Sequence, residues 1–121
     1  MKIILDTNFL VYCAKQKIDY IEEIDELIKG NYEIVVPDLV KQELIELKEK
    51  AKKYSDREAA SLALQILKTN KIKVIKIKAK NTDQGIIKIS KENIVATLDF
   101  ILRKKIKKNI VINRKNKLVL L

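Results

Sequence analysis

The chain contains no histidine among its 121 residues. That removes the usual general base at neutral pH, the Ser-His and Cys-His nucleophile pairs and the common zinc sites. Cysteine is nearly missing too. Cys13 stands alone, so no internal disulfide can form, and its neighbours Val11, Tyr12 and Ala14 mark it as a small apolar core residue rather than a nucleophile. With two glycines and one proline there is no material for a flexible linker, and nothing in the sequence repeats. The longest apolar stretches are a few residues long, far short of a membrane span or signal segment, so a soluble, cytoplasmic protein with no membrane partner is expected. Whatever chemistry occurs must use carboxylates, lysines or a metal.

What is plentiful is charge. The length suits one hydrophobic core and not two ordinary domains, so residues 1–121 are expected to form a single domain. The formal charge of +10 is unevenly spread: residues 1–67 carry 10 basic and 13 acidic side chains, residues 68–121 carry 16 basic and 3 acidic ones. Such a field favours a polyanion, most simply nucleic acid, through phosphate contacts and counterion release. A solvated lysine-rich surface is the plainer explanation, because 23 Lys and 20 Ile also suit a heat-adapted protein or an AT-rich genome.

Periodicity predicts strands over Lys2 to Leu5, Tyr32 to Val36, Ile72 to Ile77, Asn93 to Thr97, Asn109 to Ile112 and Lys117 to Leu121. Helical patterns lie between them, at Thr7 to Gln16, Asp19 to Lys29, Asp38 to Lys52, Asp56 to Lys68, Asp83 to Lys91 and Asp99 to Lys107. This alternation predicts an α/β fold with a mostly parallel sheet. The run "KIKVIKIK" at Lys71 to Lys78 reads as a strand with one wet face near an edge.

In such a sheet ligands gather outside the carboxyl ends of the strands, which directs attention to the acids there. Asp6 follows the first strand and Asp99 follows "NIVAT" with only Leu98 between, and right-handed crossovers bring both to the same edge. Each is also a good helix N-cap, and taken singly the cap explains it. On a helical wheel Glu43 falls within the arc of Leu39, Val40 and Leu47, where a carboxylate is costly unless paired or bound to a cation. Asp83, with Ile86 and Ile87 at i+3 and i+4, is expected to face the same side as those core residues, with an N-cap again the competing explanation. Four carboxylates at one edge would repel, raising their pKa values, unless a hard cation such as Mg²⁺ or Mn²⁺ neutralised them.

The segments "IILDTNFL" (Ile3 to Leu10), "VPDLVKQEL" (Val36 to Leu44), "TDQGIIKIS" (Thr82 to Ser90) and "IVATLDF" (Ile94 to Phe100), in this order, resemble those of PIN-domain ribonucleases over essentially the whole chain. The resemblance implies a twisted parallel sheet flanked by helices. It implies an acidic pocket that holds Mg²⁺ or Mn²⁺ and cleaves single-stranded RNA, leaving 5′-phosphate and 3′-hydroxyl ends. Carried over, Asp6 is the central metal ligand, Glu43 binds or orients the attacking water, and Asp83 and Asp99 complete the metal cage. Asn8 and Thr97 are secondary pocket residues, and Lys104, Lys105, Lys107 and Lys108 are expected to contact RNA phosphates.

The C-terminal third resembles the archaeal branch related to ribosomal-RNA-processing members more than VapC-type toxins of toxin–antitoxin pairs. Those relations imply rRNA, tRNA or mRNA as substrate, an antitoxin or ribosome-assembly partner, and a homodimer. Gln84 stands where that branch often has an acid and Leu98 where Asn is common, departures expected to weaken metal binding or alter activity. Two other readings compete. A haloacid-dehalogenase-type phosphatase would need a second Asp at position 8, which is Asn. A non-catalytic RNA-binding or assembly factor with a degenerate pocket explains the charge but not the persistence of all four acids.

Overall fold

The first strand, β1 (Lys2–Leu5), carries three consecutive aliphatic residues, Ile3, Ile4 and Leu5, all fully buried. A strand covered on both faces needs that continuous run rather than alternation. The computed structural model describes all 121 residues. After β1 come helices α1 (Thr7–Gln16) and α2 (Tyr20–Leu27), then β2 (Glu33–Pro37), α3 (Asp38–Lys50), α4 (Tyr54–Thr69) and β3 (Lys73–Ile75). The second half runs through α5 (Thr82–Ile89), β4 (Ile94–Ala96), α6 (Phe100–Arg103), β5 (Asn109–Ile112) and β6 (Leu118–Leu120).

The six strands form one sheet in the order β3-β2-β1-β4-β5-β6, parallel throughout except for the antiparallel pair β5 and β6. Strand order reverses between β1 and β4, because β2 and β3 are added on one side of β1 and β4 to β6 on the other. A crevice at the carboxyl ends of the two strands follows from that reversal. One core of 27 buried residues spans the sheet and its helices, with Phe9, Leu10 and Cys13 of α1 set against the strands. Phe9 and Tyr20 meet edge to face at 5.9 Å between ring centroids, a favoured aromatic geometry. Burial pushes the Cys13 thiol up to about 12, with Glu23 adding to the shift, so it is an inert core residue.

Nine of the twelve elements depart from their expected limits, most by one or two residues, and for three of them the structure shows a local reason. The helix expected over Asp99 to Lys107 is a single turn, Phe100–Arg103. Beyond it Lys105 N–H and Ile106 N–H donate to the carbonyls of Leu102 and Arg103 in tight i to i−3 turns. The chain must then reach β5, where Asn109 lies opposite Val95, and a helix extended to Lys107 would leave no residues for that approach. Asn109 Nδ2 holds the turn from below, 3.4 Å from the Ile106 carbonyl oxygen.

Edge strand β3 stops at Ile75 rather than Ile77, because the Ile77 N–H leaves the sheet and donates to Asp38 Oδ1 at 3.2 Å. Its neighbours Lys73 and Lys76 are exposed, and such lysines discourage edge-to-edge pairing. Helix α2 ends at Leu27 because Ile28 is extended, at φ −99° and ψ 124°, and Gly30 follows at φ +91°. That left-handed conformation is one glycine adopts without strain.

Gly85 of α5 matters for contact rather than dihedral freedom: a Cβ there would lie 2.5 Å from Ile77 Cγ2 and 3.4 Å from Ala79 Cβ. Ile77 is buried and β-branched, so its methyl has little room to yield. Gly85→Ala is therefore expected to destabilise the fold by about 1 kcal/mol, the middle of an overpacking cost of roughly 1–3 kcal/mol less a helix-propensity gain near 1. Urea unfolding checks this, and an unchanged or higher midpoint would contradict it.

Candidate active site

Asp6 emerges from β1 at the reversal point, and its backbone N–H donates to the Ala96 carbonyl of β4 at 3.0 Å. Its side chain is 4% exposed. As N-cap of α1, its Oδ1 accepts from Thr7 N–H at 2.8 Å, while Oδ2 accepts from Thr97 Oγ1 at 2.7 Å. Thr97, fully buried just past β4, has one hydroxyl proton, and its contact to Asn8 Oδ1 at 3.3 Å cannot share it equally. The shorter bond to a carboxylate takes the proton, since charge-assisted bonds are the stronger ones. Asn8 Oδ1 is satisfied instead by Leu98 N–H at 2.9 Å, and Thr97 Oγ1 accepts from Asp99 N–H at 3.1 Å. The loops after β1 and β4 are thus tied together through side chains.

Asp99 caps α6, its Oδ1 accepting from Ile101 N–H at 2.9 Å and Leu102 N–H at 3.1 Å. For Asp6 and Asp99 the cap role and a cleft position coexist. Asp83 is different: the N-cap of α5 is Asn81, whose Oδ1 accepts from Gln84 N–H at 2.9 Å. The carboxylate of Asp83 accepts no hydrogen bond and is exposed at the cleft rim rather than turned to the core with Ile86.

Glu43 corrects the helical-wheel expectation. It is exposed; the core stripe of α3 is Val40 and Leu44, with Leu47 partly buried, and Glu43 lies about 60° round the helix from Val40. No desolvation cost therefore acts on it, and what places it is Thr7 Oγ1, which donates to its Oε1 at 2.6 Å.

Asp6, Glu43, Asp83 and Asp99 line one open cleft of about 490 Å³. They form a wall rather than a closed cage: no three of them converge tightly enough to make a ready-made metal-ligand group. Repulsion between like charges favours such spacing in the absence of a cation. The donor set nevertheless fits a hard divalent ion. Every donor is a carboxylate oxygen, and none of the four is paired with a lysine or arginine. Glu43 Oε2 and Asp99 Oδ2 carry no hydrogen bond, and each Asp6 oxygen keeps one lone-pair position. Burial raises the pKa of Asp6 most; the hydrogen bonds from Thr97 and Thr7 oppose that, and the charges of Asp83 and Glu43 add to it.

A second cleft, of about 590 Å³, adjoins the first along Glu43 and Asp83 and is lined on its far side by Lys105. Lys104, Lys107 and Lys108 are exposed nearby but line neither cleft. Sequence reasoning missed Thr7 and the Lys15–Asp56 ion pair at the other end of the first cleft. A signal existed, because Thr7, Val11 and Lys15 recur at four-residue spacing and so share one face of α1.

Residues 3–116 match a family model described as a PIN like domain. Ribonuclease VapC4 of Methanocaldococcus jannaschii is 35% identical over 111 residues, 89% of this chain and 84% of that protein. The PIN domain endonuclease Utp24 superposes with a TM-score of 0.75 at 25% identity, covering 98% of this chain and 90% of the other. In VapBC2 from Rickettsia felis, bound to a DNA fragment from its promoter, a chain superposes with a TM-score of 0.61 at 21% identity. That match covers 88% of this chain and 93% of the other, and it speaks to fold. No helix here is long and apolar enough to cross a membrane.

The raised pKa of Asp6 fixes a sign. The native state holds this proton to higher pH than the unfolded chain, whose value is near 3.8, so the stability this group contributes is fully present below that and is lost as pH rises through the native pKa. Asn at position 6 keeps the acceptor for Thr7 N–H and removes the charge. With chelator present, the stability of Asp6→Asn relative to the parent chain is expected to increase from pH 3 toward pH 7. Urea unfolding at stepped pH measures it, and a gap that stayed constant or shrank would refute it.

Proposed function

The chain belongs to the PIN-like domain family, and from that premise we propose that it is a Mg²⁺- or Mn²⁺-dependent endoribonuclease acting on single-stranded RNA. The observation that carries this reading is the cleft wall: four carboxylates from four separate elements, none neutralised by a basic side chain, in a chain of net charge +10. A folding protein gains nothing by gathering unpaired acids in this way, whereas a cation-assisted phosphodiester hydrolase requires it.

Asp6 is the central ligand, because its position is the most constrained, and Asp83 and Asp99 add oxygen donors from the other side of the reversal point. A bound divalent ion supplies Lewis acidity, lowering the pKa of a water and offsetting charge on the phosphoryl group. Glu43, with Oε1 held by Thr7 and Oε2 free, is placed to align the attacking water. Thr97 and Asn8 hold Asp6 and the loop of Leu98 in register. Hydrolysis adds water across the P–O3′ bond, oxygen to phosphorus and proton to the leaving 3′-oxygen, giving 5′-phosphate and 3′-hydroxyl ends.

The two departures from the family pattern leave this scheme intact. The site uses the backbone N–H of Leu98 rather than its side chain, and Gln84 lines the second cleft beside Asp83. Likeness to Utp24, a PIN domain endonuclease, over nearly the whole chain supports endonuclease chemistry, and the resemblance of the C-terminal third to rRNA-processing members makes ribosomal RNA the substrate expected. The 35% identity to Ribonuclease VapC4 favours a second reading, a toxin whose cleft is blocked by an antitoxin partner. Growth arrest on expression, relieved by the product of an adjacent gene, separates the second from the first.

Purified protein is expected to cut single-stranded RNA in Mn²⁺ or Mg²⁺, and Asp6→Asn to abolish both cutting and the metal-induced rise in melting temperature. RNA binding without metal-dependent cleavage across varied RNAs would instead support a non-catalytic binding factor. Lys105, alone of the four basic residues singled out in lining a cleft that adjoins the acids, is expected to contact phosphate. Lys105→Ala should weaken RNA binding and lower the slope of log K against log salt by about 1. An unchanged slope in fluorescence-anisotropy titrations would remove Lys105 from the interface.

A further inference from the structure

Of the two phenylalanines in the chain, Phe9 is fully buried and Phe100 is 61% exposed. Phe100 directly follows Asp99, so its Cα is only about 3.8 Å from that of a cleft carboxylate residue. It does not sit on a loose segment. The bonds from Ile101 N–H and Leu102 N–H to Asp99 Oδ1 fix the turn that carries it. Ile101 beside it is 69% exposed, which makes a small apolar patch directly after the cleft residue Asp99 in the chain. Two cations attend the ring without covering it: Lys104 Nζ is 4.7 Å and the Arg103 guanidinium carbon 5.8 Å from the ring centroid.

We propose that Phe100 is a stacking platform for an unpaired nucleobase, holding the nucleotide next to the one whose phosphate enters the acid cleft. The surroundings select that occupant. Residues 100–121 contain no Asp or Glu, Arg103 and Lys104 stand at the ring, and Lys105, Lys107 and Lys108 follow within eight residues of it in sequence. A second copy of the chain docking through the same patch would bring like charges together, whereas a single-stranded nucleic acid offers an apolar face and anionic phosphates at once. In a duplex the base faces are covered by their neighbours, so the platform favours unpaired segments and gives the single-stranded preference proposed above a structural basis. The proposal rests on the reading above only in requiring that RNA bind.

The chain has no tryptophan, so Phe100→Trp installs a single fluorescent reporter. With chelator present to prevent cleavage, saturating single-stranded oligoribonucleotide is expected to quench that fluorescence. An abasic oligonucleotide of the same length and a duplex of the same sequence are expected to quench little. Phe100→Ala should weaken single-strand affinity about tenfold or more while leaving the salt slope unchanged, because stacking involves no counterions. RNA binding by Phe100→Trp without quenching, or full affinity in Phe100→Ala, overturns the platform and leaves the nuclease reading standing. Failure of the parent chain to bind RNA at all overturns both. If Phe100→Ala turns a dimer into a monomer in light scattering and keeps full RNA affinity, the patch belongs to a second copy and the proposal is wrong.

Discussion

The hydrogen bond from Thr97 Oγ1 to Asp6 Oδ2, 2.7 Å long and buried, joins the carboxyl ends of β1 and β4. A carboxylate that is 4% exposed is unfavourable in itself, and its position is tolerable because Thr97 and the Thr7 N–H supply two donors. Thr97 is oriented in turn by Asp99 N–H, and Asn8 grips Leu98 N–H from the other loop. Loosening any of these bonds would free the only acid of the four that lies inside the protein. The flanking strands supply the rigidity: Ile3, Ile4, Leu5, Ile94, Val95 and Ala96 are all buried, and such close-packed segments do not shift to relieve a neighbouring charge.

Much of this was legible in the sequence because it follows from one topological rule. Asp6 and Asp99 stand after hydrophobic runs, and in a parallel sheet the carboxyl ends of adjacent strands share an edge. Strand and helix order could be read for the same reason, since continuous apolar runs and 3.6-residue periods differ plainly. Glu43 was singled out on a faulty premise. An arc drawn through Leu39 encloses Glu43, whereas the buried stripe of α3 is Val40 and Leu44, which Glu43 only flanks. Its tie to Thr7 joins residues 36 apart in sequence, which local periodicity does not reveal. The single turn of α6 was likewise unreadable. The apolar spacing from Phe100 to Ile106 is helical, and only the pairing of Asn109 with Val95 shortens it.

Opposite charges are kept apart here instead of being cancelled. Only Lys15 and Asp56 pair, at the end of the cleft remote from Lys105, although basic residues outnumber acidic ones by 26 to 16. Exposed pairs add little to stability, so leaving them unmade costs little. Leaving them unmade also keeps acids and lysines free to meet different parts of the proposed RNA substrate. Lys105 lines a cleft that shares Glu43 and Asp83 with the first, so basic and acidic groups border the same groove.

The four acids divide by mobility. Asp6 and Asp99 are helix caps with fixed hydrogen bonds, set by the backbone of the two strands they follow. Glu43 and Asp83 are exposed, the first tethered through one oxygen and the second through none, and exposed side chains change rotamer on the picosecond to nanosecond scale. A wholly rigid quartet would have to store its mutual repulsion in the fold, whereas a wholly mobile one would spread apart and lose any defined site. The fixed pair marks the place, and the free pair relaxes the repulsion by moving into solvent. A divalent cation bound as proposed above would draw the four carboxylates inward and remove the reason for that retreat.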